Sequence, residues 1–169
     1  MDVYDAMKKR RSIRKYRKER IPKDTLDRLL ECARIAPSGR NLQPWELVVV
    51  TDDETRKNLI PACGGQEFIA DASAFIAGVD DPGAKWYRVD LAIAMEHIAL
   101  GAVELGLGTC YIGRFSPDDV KQMLGVPDGK VVTVCMVVGY PGENPPPKDK
   151  KPLSDIVHWE KYRQAEKGG

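Results

Sequence analysis

The sequence lacks the features of secreted, zinc-binding and membrane-spanning proteins. It contains four cysteines, which lie far apart in the chain: Cys32, Cys63, Cys110 and Cys135. Without a CxxC pair they indicate neither a zinc site nor a disulfide framework. No secretory leader is recognisable, and no apolar run is long enough to cross a bilayer. We therefore expect a cytoplasmic protein with reduced thiols, no membrane association and no bound metal.

The chain also has almost no net charge, because its 169 residues include 26 lysines and arginines and 25 aspartates and glutamates. This balance argues against a nucleic-acid-binding surface. Histidine is scarce, and neither His97 nor His158 completes a recognisable nucleophile motif. Any chemistry is therefore expected to come from a cofactor. The length fits a single domain over residues 1–169.

Hydrophobic patterning predicts a chain in which helices alternate with strands. Apolar residues recur at helical spacing over 26–33, in a helix that begins near Pro22 and stops at Pro37. Further helices are predicted over residues 2–10, after 52, over about 86–105 and after 116, and strands over 46–50, 74–79, 109–112 and 131–138. The continuous apolar run predicts that strand 46–50 is buried on both faces. The pattern predicts an α+β fold of the α/β-sandwich type.

The composition changes after Gly142 and becomes rich in proline and lysine. The run Pro145–Pro147 cannot form a helix or an interior strand, so it must cross a surface as an extended segment. A short amphipathic piece follows from Leu153 to Tyr162. We interpret residues from about 143 to 169 as an arm, and such an arm more often embraces a partner subunit than its own domain.

The stretch Arg10–Tyr16 carries four cationic side chains and one hydroxyl within seven residues. Arginine presents a planar fork of donors that suits phosphate, and Ser12 adds a compact donor. This composition indicates an anion site. A solvated basic turn is the alternative that the stretch alone leaves open.

A second polar segment, Ser38–Gln43, lies between the predicted helix and the first strand. Its hydroxyl and amide side chains, with a glycine that permits close backbone approach, suit the edge of a heteroaromatic ring. An ordinary helix-to-strand turn remains the alternative. By contrast, Gly106-Leu107-Gly108 follows a helix and precedes a strand, which is the reverse of a dinucleotide-binding motif, so it indicates a helix C-cap.

Five segments occur in the same order as in the FMN-dependent nitroreductase family, which the chain resembles over nearly its whole length. They are RRSIRKY, ARIAPSGRNLQPWELVVV, GLGTCYIG, VVGYPGE and PPPKDKKPLSDIVHWEKY. The resemblance implies a central, mostly antiparallel sheet flanked by helices, and a homodimer that holds FMN at its interface. It also implies that NADH or NADPH donates electrons and that a small molecule such as a nitroaromatic or a quinone accepts them.

The same resemblance assigns roles to individual residues. Arg10, Arg11 and Ser12 would hold the phosphate and ribityl chain, together with Lys148 and Lys150 from the arm. The residues assigned to the flavin ring are Arg14 at its pyrimidine edge, Pro37, Ser38, Gly39 and Asn41 from the other subunit with Gln43 assisting, and the backbone of Ile112 and Gly113 near the reactive nitrogen. Arg14 is the candidate catalytic residue, because a fixed cation there stabilises the charge that develops when the ring is reduced.

Two alternatives remain open at this point. The chain could be a flavin enzyme of the same fold with another reaction, such as reductive dehalogenation or flavin breakdown, or it could be a non-catalytic flavin-binding redox sensor. Residues 63–71 do not match the insert that shapes the substrate pocket in longer family members. The sequence therefore identifies neither the physiological acceptor nor the preferred nicotinamide.

Overall fold

The computed structural model describes residues 1–162, so residues 163–169 of the predicted arm lie outside the described residues. Within residues 1–162, four strands form one sheet in the order β1-β2-β4-β3, and each neighbouring pair is antiparallel. The strands are β1 (Trp45–Val50), β2 (Ala74–Asp80), β3 (Gly108–Ile112) and β4 (Val131–Gly139). The predicted α+β sandwich with an antiparallel sheet is confirmed.

Six α-helices accompany the sheet in the described part of the chain: α1 (Val3–Lys9), α2 (Lys23–Arg34), α3 (Asp53–Asn58), α4 (Phe68–Asp71), α5 (Tyr87–Glu104) and α6 (Pro117–Met123). Gly39–Asn41 and Leu153–Asp155 form short 3-10 helices. The predicted starts of α3 and α6 are confirmed, because Asp52 and Ser116 accept hydrogen bonds from the backbone of the first turn. Gly106 follows α5 at φ +71°, as expected for a helix C-cap. Helix α4 was not predicted from the sequence.

The two faces of the sheet bury different halves of the core. Helices α2 and α5 pack against one face, where Leu29, Met95 and Ile98 are fully buried with Ile76 of β2. The other face is covered by residues of and around α3, α4 and α6, including Leu59, Ile69 and Val120. Successive β2 residues, such as Phe75 and Ile76, belong to opposite core clusters because strand side chains alternate.

Strand β1 lies at one edge of the sheet, and the prediction that residues 46–50 are buried on both faces is wrong. Val50 is the one fully buried residue of β1, while Leu47, Val48 and Val49 are half-buried. Glu46 is exposed and its carboxylate lies 2.6 Å from Lys130 Nζ. An apolar run reveals β propensity, but only the strand order decides which strand becomes an edge.

The segment after α1 is joined to the sheet by backbone hydrogen bonds. Ser12 bridges to Thr109 of β3, and the Ile13 N–H donates to the Thr109 carbonyl at 2.9 Å. Tyr16 forms a second bridge, to Pro141 just after β4. A Cβ atom on Gly108 would come within 2.6 Å of Ile13, so the close approach requires glycine there. These contacts place the basic stretch next to the beginning of the arm.

Within residues 1–162, no helix combines the length and the hydropathy needed to span a bilayer. The same part of the chain contains no cluster of three or more metal-ligating side chains.

Candidate cofactor site

An open cavity of about 470 Å³ lies between the end of α1, the segment that follows it and the proline-rich arm. Its lining residues are Met7, Lys8, Arg10, Arg11, Ser12, Arg14, Pro145, Pro146, Pro147, Lys148 and Lys150. Six of these residues are cationic and, among the described residues that line the cavity, none is acidic. A concave surface lined by one sign of charge concentrates ions of the opposite sign, so this cavity suits an anion.

The arm reaches the cavity because its first residues are anchored to the basic stretch. The Gly142 N–H donates to the Lys15 carbonyl at 2.8 Å. The Glu143 carboxylate then accepts from the backbone N–H groups of Arg14, at 2.5 Å, and Lys15, at 3.1 Å. The prolines that follow fix φ and keep the chain extended. Lys148 therefore lines the same cavity as residues that precede it by more than a hundred positions in the chain.

The cationic side chains of the cavity differ in how many hydrogen bonds they already make within the protein. Arg11 Nη1 donates to the carbonyls of Lys8, at 2.5 Å, and Arg10, at 2.7 Å, so part of this guanidinium closes the end of α1. The side chains of Arg14, Lys148 and Lys150 make no hydrogen bond or salt bridge within residues 1–162. These last three cations are therefore available to a ligand.

Arg10 forms a salt bridge with Glu96, a residue that was not predicted from the sequence to belong to the site. Its Nε lies 3.4 Å from Glu96 Oε1, and the Tyr111 hydroxyl donates to Glu96 Oε2 at 3.1 Å. Burial, assisted by the Glu96 carboxylate, raises the pKa of Tyr111, so the phenol stays a proton donor. Glu96 and Tyr111 belong to α5 and β3, and no sequence spacing relates them to Arg10.

The Ser38–Gln43 loop has an unusual backbone. Arg40, Asn41 and Gln43 adopt positive φ angles of 53°, 55° and 47°, although none is glycine. Ser38 Oγ accepts from the Gln43 N–H at 2.9 Å, and Gln43 Nε2 donates to the Asn41 carbonyl at 3.1 Å. Strained backbone of this kind persists where surrounding contacts hold it, and it concentrates at functional sites.

The structure brings together some of the predicted site residues and leaves others apart. The cavity unites Arg10, Arg11, Ser12, Arg14, Lys148 and Lys150. It does not include the other predicted residues of the same chain, namely Pro37, Ser38, Gly39, Asn41, Gln43, Ile112 and Gly113. Ile112 is buried at the end of β3, and Gly113 beyond it is exposed.

A second group of cations provides a contrast. Lys18, Arg20, Arg56 and Lys57 line another cavity, of about 190 Å³, beside α3. There Arg20 and Arg56 both bind the Asp53 carboxylate and the Thr51 carbonyl, which uses several of their donors, and the lining also includes acidic residues: Glu19, Asp53 and Asp71. The cavity beside the arm is therefore the better candidate for an anionic ligand.

Comparison with known proteins agrees with the site. The sequence model of the nitroreductase family matches residues 7–81 and 64–140. The chain belongs to the nitroreductase family. A Thermus thermophilus relative named NADH dehydrogenase is 32% identical, with 94% of this chain and 96% of the relative covered.

Solved structures of other members of the nitroreductase family share the fold. An FMN-dependent nitroreductase from Clostridium difficile R20291 is 34% identical, with a TM-score of 0.81 over 93% of this chain and 98% of the other. The NADPH:FMN oxidoreductase from Vibrio harveyi, solved with NAD+, is 27% identical, with a TM-score of 0.89 over 96% of this chain and 79% of the other.

Proposed function

We propose that this member of the nitroreductase family is a homodimeric oxidoreductase that uses bound FMN to transfer hydride from NADH or NADPH to a small acceptor, such as a nitroaromatic or a quinone, in a ping-pong reaction. The observation that carries the proposal is the cavity in which the basic stretch and the arm lysines converge. The names of relatives support it: NADPH-flavin oxidoreductase of Vibrio harveyi, 30% identical, and FMN reductase [NAD(P)H] of Bacillus subtilis, 26% identical.

The residues of the cavity fit the phosphate end of FMN. A phosphate needs convergent cations and donors, and Arg10, Ser12, Lys148 and Lys150 supply them from two segments. Arg11 keeps Nε and Nη2 for the ligand, since its hydrogen bonds to the backbone use Nη1. Lysine contributes a point charge without the bidentate fork of arginine, so specificity for the phosphate geometry depends on Arg10 and Arg11.

FMN, when bound, supplies the hydride-transfer chemistry, and the protein supplies binding, orientation and electrostatics. In this proposal Arg14 faces the pyrimidine edge of the ring, and its permanent charge stabilises negative charge that develops there. The Ser38–Gln43 loop and Pro37 contribute from the partner subunit, which agrees with their absence from the cavity of their own chain. The backbone of Ile112 and Gly113 would lie near the reactive nitrogen. No side-chain acid or base is required.

The exposed apolar residues support a second copy of the chain as the partner. On α1, Val3, Tyr4 and Met7 are each more than half exposed. The arm exposes four further large apolar side chains: Leu153, Ile156, Trp159 and Tyr162. Exposed apolar surface of this extent marks an interface, and obligate dimers typically bury more than about 2,000 Å². The expectations of one domain over 1–169 and of a cytoplasmic location belong to the same proposal.

A second candidate function has one specific observation in its favour. A relative from Thermotoga neapolitana named iodotyrosine deiodinase is 26% identical, with 92% of this chain and 95% of the relative covered. Reductive dehalogenation would use the same cofactor cavity with a halogenated phenol as acceptor. The acceptor assay below distinguishes the two functions.

The test begins with purified protein, whose FMN content is measured after denaturation. Anaerobic addition of NADH or NADPH should bleach the flavin absorbance, and a nitroaromatic or quinone should restore it. Restoration by an iodinated phenol with release of iodide, but not by quinones, would favour dehalogenation. A protein that binds FMN but is not bleached by either nicotinamide would be a sensor or a flavin-consuming enzyme. Sedimentation that finds a folded monomer retaining FMN at micromolar concentration would exclude the dimer.

A further inference from the structure

One buried carboxylate connects the Ser38–Gln43 loop to the body of the protein. Asp90 lies in the first turn of α5 with 5% of its surface exposed, and its Oδ1 accepts the Gly39 N–H at 3.2 Å. Among residues 1–162, Asp90 is the only side chain outside the loop that hydrogen bonds to residues 38–43. The position of the loop relative to α5 therefore depends on this contact.

The loop needs such a contact because its own hydrogen bonds fix only its shape. The bond between Ser38 and the Gln43 N–H closes the loop, and the Gln43 side chain returns to the Asn41 carbonyl. Both bonds would persist if the loop moved as a unit. The positive φ angles at three non-glycine residues are unfavourable, so the conformation must be held by contacts from elsewhere.

The packing around Gly39 confirms how closely the loop approaches the helix. A Cβ atom at position 39 would lie 3.3 Å from Trp86 Cδ1 and 3.8 Å from Asp90 Oδ2. The loop backbone thus rests directly on the first turn of α5. At the far end of the loop segment, the Asp81 N–H donates to the Pro44 carbonyl at 2.9 Å. The segment is held at both ends, and within residues 1–162 Asp90 supplies the only hydrogen bond to the loop from a side chain outside it.

Favourable interaction with the helix dipole is the alternative explanation of an acid in the first turn of a helix. That role needs negative charge but no particular partner, whereas the contact to Gly39 needs a hydrogen-bond acceptor at Oδ1. Asparagine supplies the acceptor without the charge. The two roles therefore predict different behaviour of an Asp90→Asn variant.

We propose that Asp90 is a positioning residue for the cofactor: by accepting the Gly39 N–H it holds the Ser38–Gln43 loop in the conformation that contacts the edge of the flavin ring. The inference rests on the proposed function, which assigns this loop to the flavin. Asp90 does not itself touch the ring. It acts through the loop, in the subunit that supplies the loop to the shared site.

The test compares FMN dissociation constants and flavin absorption spectra of the parent protein and its variants. Asp90→Ala should bind FMN about tenfold more weakly, as expected for loss of a hydrogen bond to a charged group. It should also shift the flavin absorption bands, because the ring edge loses its polar contacts. Asp90→Asn should restore both properties to near those of the parent. Asp118→Ala is the matched control, since it removes an exposed acidic side chain from the first turn of another helix, α6.

Each outcome decides one question. If the parent protein does not bind FMN, the proposed function is wrong, and the positioning role that rests on it is wrong with it. If the parent binds FMN and Asp90→Ala binds it equally well with an unchanged spectrum, the positioning role is wrong. It is also wrong if Asp90→Asn is as defective as Asp90→Ala. Should Asp90→Ala not fold, Asp90→Leu takes its place, because leucine has a similar shape and lacks the acceptor for the Gly39 N–H. Parental affinity and spectrum in Asp90→Leu would then overturn the inference.

Discussion

The guanidinium of Arg10 lies beside the carboxylate of Glu96, with Nε 3.4 Å from Oε1. The pair joins the proposed phosphate site to α5, and the Tyr111 hydroxyl holds the other carboxylate oxygen. Glu96 is therefore a negative charge next to the place assigned to a phosphate. It orients Arg10, but it also competes with the ligand for that cation.

The Glu96→Gln variant should bind FMN more tightly than the parent. Glutamine keeps an acceptor for Tyr111 and removes the competing charge. The pair is partly exposed, so the gain should be modest, about 0–1 kcal/mol or up to roughly fivefold in affinity. Fluorescence titration of the apoprotein with FMN measures it. Weaker binding would mean that orientation of Arg10 matters more than competition, and Glu104→Gln controls for loss of charge from α5.

Removal of the proposed phosphate ligands should weaken FMN binding without unfolding the apoprotein. Arg10→Ala and the double variant Lys148→Ala, Lys150→Ala each remove contacts worth on the order of 1.5–3 kcal/mol, which is about tenfold or more per contact. Lys151→Ala is the matched control, because this neighbouring lysine does not line the cavity. The phosphate site is misplaced if the Lys151 variant loses as much affinity as the double variant, or if none of the variants changes it.

The sequence predicted local secondary structure better than it predicted which elements lie next to each other in the fold. The apolar stripe of α2 is buried as expected at Leu26, Leu29 and Ala33, because helical period alone selects those positions. The predicted burial of β1 failed because the sequence does not contain the strand order. Residues such as Asp90 and Glu96 were missed for the same reason, since their partners come from elements distant in the chain.

The cofactor site was likewise predicted only in part from the sequence. Charge in the Arg10–Tyr16 stretch was enough to indicate an anion site, and the structure adds the arm lysines to it. That Lys148 would join Arg10 was predicted through the family resemblance and could not follow from spacing. The positive φ angles of Arg40, Asn41 and Gln43 had no signal in the sequence, because such conformations are expected mainly at glycine.

Asp80 should make the stability of the protein depend on pH. It is fully buried at the end of β2, and neither carboxyl oxygen has a hydrogen-bonding partner of normal geometry within residues 1–162. Burial, with a smaller contribution from the Asp90 carboxylate, raises the pKa of Asp80 to about 6, against the opposing effects of Thr133 and Arg88. The folded state therefore retains a proton on Asp80 that the unfolded state releases at lower pH.

The sign of the effect follows from this raised pKa. The contribution of Asp80 to stability is fully present below its unfolded pKa, near 4, and is lost as pH rises through about 6. Relative to Asp80→Asn, the parent should therefore lose about 1–1.5 kcal/mol of unfolding free energy between pH 5 and pH 7, at 1.36 kcal/mol per pKa unit. Urea unfolding of both apoproteins measures the difference, in which other titrating groups cancel. A difference that is constant with pH would show that Asp80 stays ionised.

Arg14 provides the prediction that separates catalysis from binding. Its backbone N–H is held by Glu143, so the Arg14→Gln substitution leaves the attachment of the arm in place and changes only the side chain. If the guanidinium faces the pyrimidine edge, it interacts more strongly with reduced FMN than with oxidised FMN. The variant should therefore retain oxidised FMN but have a lower two-electron reduction potential.

The expected shift in potential is at least about 30 mV, which corresponds to roughly 1.4 kcal/mol for a two-electron couple. Reduction by NADH or NADPH should slow, whereas reoxidation need not change. Lys15→Gln is the control, because Lys15 is the exposed neighbouring cation and does not line the cavity. Loss of FMN with an unchanged potential would make Arg14 a phosphate ligand. If neither the affinity nor the potential changes, Arg14 is a solvated surface residue, and the assignment to the ring edge is wrong.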